Sequence, residues 1–170
     1  MKDNGLLHQG VSAGASVQHR TKPRPRILVV DDDSDMRLLY TNALAHPGCR
    51  VDTAEDGAAG WEALQANHYQ LLITENSMPR LNGVQLVRKL RAARADLPVI
   101  LVAGRLPVDE LTRYPSLQLA AILAKPFYIS ELLETVRAVL HATDSPPEPM
   151  TPLPSWRSWP AAPGLQLHAP

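Results

Sequence analysis

Five charged residues stand where apolar runs stop. Asp31, Asp32 and Asp33 follow Ile27-Leu28-Val29-Val30, Glu75 follows Leu71-Leu72-Ile73-Thr74, and Lys125 follows a run ending at Ala124. If these runs end on one sheet edge, several carboxylates and one ammonium converge there. Clustered carboxylates repel one another unless a cation sits between them. Mg²⁺ suits such a set, because it takes hard oxygen ligands, keeps several waters and pairs with phosphoryl groups. Lys125 supplies a point positive charge for the same anion. Asp33 and Asp35 have a simpler use, as caps of a following helix. Cys49 is alone, which excludes an intramolecular disulfide and a Cys-cluster zinc site. The His residues at 8, 19, 46, 68, 141 and 168 show no pair at metal-ligand spacing.

The elements that must position these residues alternate along the chain. Residues 27–30 form a short all-apolar strand of the kind buried on both faces. Ser34 or Asp35 can cap a helix carrying Met36, Leu39, Tyr40, Ala43 and Leu44, stopped by Pro47-Gly48. A strand at 50–54, a helix at 57–66 with Trp61 and Leu64 inward, and an apolar strand at 71–74 follow. A 79–83 loop leads to a helix with Val84, Leu86, Val87 and Leu90. Strands are expected at 98–102 and 119–124, separated by a poor helix at 109–113 that Pro115 cuts short. Ser130 is placed to cap a last helix with Leu132, Leu133, Val136, Val139 and Leu140. Strands and helices in strict alternation imply a doubly wound α/β sheet of five parallel strands, with helices on both faces. In such sheets ligands bind at the carboxyl ends of the central strands, where the acids and Lys125 fall.

Composition sets the flanks apart. The chain has 170 residues and a formal net charge of zero. That balance hides an asymmetry, since residues 1–26 hold five basic residues against Asp3 alone. Residues 1–25 read as a disordered basic arm and residues 142–170 as a disordered Pro-rich tail, leaving 26–141 as the folded domain. The tail holds eight of the 16 prolines, too many to continue a helix or ladder. Its Ser155-Trp156-Arg157-Ser158-Trp159 could be a docking motif with aromatic and Arg anchors, or could pack loosely on the domain. The arm could touch nucleic acid or anionic lipid, or act as a solvated leader. No run nears the roughly 18 apolar residues of a membrane span. Leu6-Leu7 is followed by His8-Gln9-Gly10, so no secretory signal is expected. The expected location is cytoplasmic.

Val29-Val30-Asp31-Asp32, then Glu75-Asn76-Ser77-Met78-Pro79 with Gly83, then Lys125-Pro126-Phe127 resemble the receiver domain of two-component response regulators. The resemblance covers residues 27–140 and implies a flavodoxin-like sheet of order 2-1-3-4-5. It also implies that Asp31, Asp32, the acid at position 75 and the backbone carbonyl of Ser77 bind Mg²⁺. The acid at 75 would accept a phosphoryl group from a partner histidine kinase, and Lys125 would contact the phosphoryl oxygens. A strand-four hydroxyl and a strand-five aromatic would then report phosphorylation.

Three positions depart from that pattern. Glu75 replaces the acceptor aspartate, Ala103 the hydroxyl and Ile122 the aromatic. One extra methylene moves a carboxylate on the order of 1 Å, a misplacement that can cost ~100-fold in a positioned reaction. Ala103 cannot hydrogen-bond a phosphoryl oxygen, and Ile122 can only fill space. Gly104 further frees the loop beside Ala103. Asp31-x-Asp33 also resembles haloacid-dehalogenase-type phosphatases, but only Glu131 and Glu134 could serve as their later acid, and Glu75 to Pro79 would go unexplained. An EF-hand loop at 31–42 fails because Met36 stands at its Gly and Asn42 at its Glu. Two readings remain, neither a free-standing enzyme. One is a phosphorylation-independent interaction module, with Glu75 a standing charge beside Lys125. The other is a working receiver phosphorylated inefficiently on Glu75. The expected partner is a histidine kinase or another signalling protein, and 30 Pro-rich residues are too few to fold a DNA-binding output domain.

Overall fold

Four consecutive apolar side chains in a strand point two to each side, so both faces need cover. In the computed structural model, which describes residues 24–144, β1 (Arg26–Val30) solves this by lying mid-sheet. Ile27 and Val29 enter one core cluster, Leu28 and Val30 the other. β2 (Arg50–Ala54), β3 (Leu71–Glu75), β4 (Val99–Ala103) and β5 (Ala121–Ala124) complete a parallel sheet of order β2-β1-β3-β4-β5. The same alternation divides β3 and β4, with Leu71, Ile73, Ile100 and Val102 on one face and Leu72, Val99 and Leu101 on the other. The doubly wound fold expected from the alternation is the fold observed.

Helices α1 (Ser34–Ala45) and α5 (Ile129–Asp144) cover the first face through Tyr40, Leu44, Leu132, Val136 and Val139. Helices α2 (Gly57–Ala66) and α3 (Gly83–Ala92) cover the second. Asn82 and Gln85 start α3 with a reciprocal capping box. Arg91, in the last turn of α3, donates to the carbonyls of Ala95, Leu97, Leu117 and Gln118 and ties that end to the connections around β4 and β5.

Several boundaries differ from the sequence reading. Asp33, rather than Ser34 or Asp35, caps α1, accepting from the amides of Asp35 and Met36. Leu39 does not face inward; it is 47% exposed beside Leu38 at 61%, because the buried stripe follows Tyr40 and Leu44. β4 starts after Pro98, which has no amide to donate. α4 (Val108–Arg113) is one short helix, and a 3₁₀ turn at Pro115–Leu117 follows it. Gln118 then takes a left-handed φ of 47°, so β5 begins at Ala121 and Leu119 lies outside it. Ser130 stands inside the first turn of α5 and not at its cap. α5 continues to Asp144, so residues 142–144 are helix rather than tail. The disorder expected for the rest of the flanks falls on 1–23 and 145–170, outside the described residues.

Candidate functional site

All five strands run parallel, so their carboxyl ends share one edge, and the chain order reverses between β1 and β3. Crevices in such sheets open at that reversal. Here Asp31, Asp32, Asp33, Glu75, Ser77, Gly104 and Lys125 line a cleft of about 350 Å³. Every sequence-predicted ligand and Lys125 therefore meet in one place. Ala103 is fully buried and does not line the cleft. Ile122 is 40% exposed on the face of β5 that short α4 leaves open, so it does not fill space as expected. A Cβ built on Gly104 would touch nothing within 4 Å, so the cleft mouth is open there.

Asp31 is nearly inaccessible. Its Oδ1 accepts from the amide of Asp33 at 2.9 Å, and its Oδ2 lies 3.6 Å from Lys125 Nζ. Burial raises the Asp31 pKa, the neighbouring charges of Glu75 and Asp32 add to the effect, and the Asp33 amide and Lys125 offset it only in part. Asp32 is exposed at the rim.

Glu75 is buried at the end of β3 and folds back over its own loop. Its Oε1 accepts from the amides of Asn76 at 3.0 Å and Ser77 at 3.1 Å, while Oε2 lies 2.5 Å from Lys125 Nζ. Asn76 holds the same loop, its side-chain oxygen accepting from Val84 and its carbonyl from Gly83. Gly83 is required there, since a Cβ would sit 2.4 Å from the Glu75 carbonyl oxygen. Burial opposes the Lys125 charge, but the hydrogen bond to Glu75 and the charges of Asp31 and Glu75 outweigh it and raise the Lys125 pKa.

Two contributors escape a sequence reading. Arg37 Nη1 donates to the Asp31 carbonyl at 2.6 Å and holds the β1–α1 junction. Tyr40 lies fully buried under the acids, and burial together with the charges of Asp31, Glu75 and Asp33 raises the pKa of its phenol. Arg37 follows the Asp33 cap by one helical turn, which is the only signal that could have found it; Tyr40 reads from sequence as core alone.

The donor set fits a hard divalent cation in part. Asp31 Oδ2 is buried and accepts no hydrogen bond, and Asp32 and Ser77 line the same cleft. Glu75 Oε2 is likewise buried without a hydrogen bond but stands 2.5 Å from Lys125 Nζ, while Oε1 is held by two loop amides. Among the described residues no group of three or more His, Cys, Asp or Glu side chains is arranged around a single metal position.

The sequence pattern of the response regulator receiver domain matches residues 27–137. The chain belongs to this family. The transcriptional regulatory protein PrrA of Mycobacterium tuberculosis (strain ATCC 25618 / H37Rv) is 38% identical over 123 residues, 71% of this chain and 52% of that protein. Response regulator MprA of Mycobacterium sp. (strain KMS) is 36% identical over 129 residues, 75% of this chain and 55% of its own. This chain thus matches about half the length of these relatives. Among solved structures, the receiver domain of Francisella response regulator 1452 superposes with a TM-score of 0.65 at 26% identity, covering 71% of this chain and 99% of that one. Response regulator TrrA of Thermotoga maritima, solved in complex with Mg²⁺ and BeF, gives 0.58 at 28% identity, covering 68% and 98%. In this receiver domain Glu75 ends β3, Ala103 ends β4 and Ile122 lies on β5.

Proposed function

We propose that this receiver domain works in two-component signalling as a phosphorylation-independent interaction module. The observation that carries the reading is the engagement of Glu75. Its Oε1 takes two loop amides and its Oε2 takes Lys125, so neither oxygen is free to attack phosphorus. A nucleophile held this way must give up a buried, charge-assisted ion pair before it can react. Glu75 instead acts as a fixed anion that holds Lys125 and the tip of β5 in one arrangement. With Ala103 lacking a hydroxyl and Ile122 lacking a ring, a bound phosphoryl group would meet no side chain able to report it.

The partner is a histidine kinase or another signalling protein that reads this constant state. Leu106, Val108 and Ile122, all more than a third exposed beside the cleft and on β5, offer apolar anchors for it. Mg²⁺, if bound, would be held by Asp31, Asp32 and the Ser77 carbonyl with water completing its shell, and Glu75 would not join them. When bound, the cation would neutralise the paired carboxylates and attract an anion to the cleft.

The test is a small phosphodonor with Mg²⁺, followed by intact mass and two-dimensional NMR. Unmodified protein with unshifted β4 and β5 resonances is the expected result. Glu75→Asp, with the shorter carboxylate, should gain the phosphoryl group yet still fail to shift β5. Stoichiometric phosphorylation of wild type on Glu75 would overturn the proposal in favour of a working receiver, a reading that the open cleft and Lys125 leave chemically accessible.

A further inference from the structure

At the amino edge of the sheet, opposite the acid cleft, a groove opens between the end of α1, the start of β2 and the C-terminal half of α5. It holds about 310 Å³. Leu44 and Val136 are its buried floor, and Cys49, Leu133 and Leu140 are its half-buried walls. Exposed Arg137 stands at its margin. Nothing in the receiver chemistry at Glu75 uses this surface.

We propose that the groove is the docking site of this chain's own Trp156–Trp159 segment. Position is the first argument. Leu140 lines the groove from the last turns of α5, and the helix reaches Asp144 immediately beyond. Eleven residues, 145–155, separate Asp144 from Trp156, a reach of up to ~40 Å when extended. The return from Asp144 to Leu140 is about one helical turn, ~5 Å. A tether of that length gives a local concentration on the order of millimolar, so a weak contact is enough.

Chemistry is the second argument. An indole is large, apolar and carries a negative π face, which suits an aliphatic groove with a guanidinium at its margin. The domain already pairs cations with rings in this way. Lys89 lies 4.7 Å from the Trp61 ring centroid and the Arg88 guanidinium 4.0 Å from that of Tyr114. Five prolines at 146, 147, 149, 152 and 154 restrict the connecting segment and reduce the entropy lost on docking.

Charge separates this occupant from its nearest rival. Pro25 also borders the groove, so residues 1–23 start close by. They carry Lys2, Arg20 and Lys22 against Asp3 and have no aromatic residue. Residues 145–159 carry Glu148 against Arg157 and are net neutral, so unlike the basic residues 1–23 they add no net repulsion toward Arg137.

Cys49 is the chain's sole cysteine and lines the groove, so it reports occupancy directly. The experiment compares the rate of Cys49 alkylation by iodoacetamide, read by intact mass, in the full chain and in the full chain carrying Trp156→Ala and Trp159→Ala. Docking predicts roughly fivefold faster labelling of the double variant, with a wild-type rate independent of protein concentration. Equal rates overturn the proposal. So does protection that grows with protein concentration and survives both substitutions, because a second copy would then be the occupant. Neither result bears on Glu75, so this site and the proposed function fail separately.

Discussion

In β4 every residue from Val99 to Ala103 is buried, whereas in the neighbouring β5 only Leu123 is. The two strands pair in register and have similar composition. Cover makes the difference. β4 has strands on both sides and helices over both faces. β5 is an edge strand, and α4 beside it spans only Val108–Arg113 before Pro115 turns the chain. Ile122, paired with buried Leu101, is therefore 40% exposed. Lys125 follows directly on this loosely covered strand and reaches across to Glu75 on β3. The acid site thus does mechanical service too, by fastening the tip of the flank to the middle of the sheet.

The comparison breaks first if the middle of the sheet tolerates truncation. Leu101 is fully buried on β4. Leu101→Ala should cost about 2–5 kcal/mol, the lost transfer energy plus a cavity. Urea denaturation measures it, and a loss under 1 kcal/mol would remove the contrast.

Next comes the fastening. Lys125→Met leaves the carboxylates of Asp31 and Glu75 buried without their cation. Removal of one partner from a buried pair is strongly destabilising, and with Lys125 29% exposed the expected loss is about 3 kcal/mol or less. Amide exchange should accelerate most along β5. Adding Asp31→Asn should recover part of the loss, because one uncompensated charge is then gone. A Lys125→Met protein with wild-type stability and unchanged β5 exchange would show that the pair fastens nothing.

These outcomes bear on how much was readable in advance. The strand runs were legible because four consecutive apolar residues ending in an acid admit few other readings, and parallel strands then put Asp31, Asp32, Glu75 and Lys125 on one edge. The return of Glu75 onto the amides of Asn76 and Ser77 was not legible, since it depends on side-chain torsions that leave no periodic signal. Ile122 looked like filler because a sequence does not say how far α4 will reach over β5. The late start of β5 depends on the left-handed turn at Gln118, a residue type with no strong preference for it. The Asp33 cap was open among three neighbouring polar residues of similar capping strength.

A smaller effect should appear at the amino edge, far from the cleft. Burial works to raise the Asp52 pKa, but hydrogen bonds from Tyr69 and Arg26 and the charges of Arg26 and Arg50 outweigh it and lower it below 3.8. A carboxylate with a lowered folded pKa contributes stability that is present above its unfolded value and lost as pH falls through the folded one. Asp52→Asn should therefore flatten the part of the acid stability profile that lies below pH 3.8. Identical acid limbs in the two proteins would exclude a contribution from this cluster.

The smallest effect is expected at Ile122, and it tests the flank directly. With 40% of the side chain already in solvent, Ile122→Ala removes little buried area and opens no closed cavity. The loss should stay under about 1 kcal/mol. Ile122→Tyr should be accommodated as well, because the ring can lie over the open side of β5 without displacing Leu101. Both follow from the same shortness of α4. Denaturation of the two variants beside Leu101→Ala, under identical conditions, supplies the measurement. If Ile122→Ala costs as much as Leu101→Ala, then β5 is enclosed in solution, the flank does not differ from the middle, and Ile122 is unavailable to a partner.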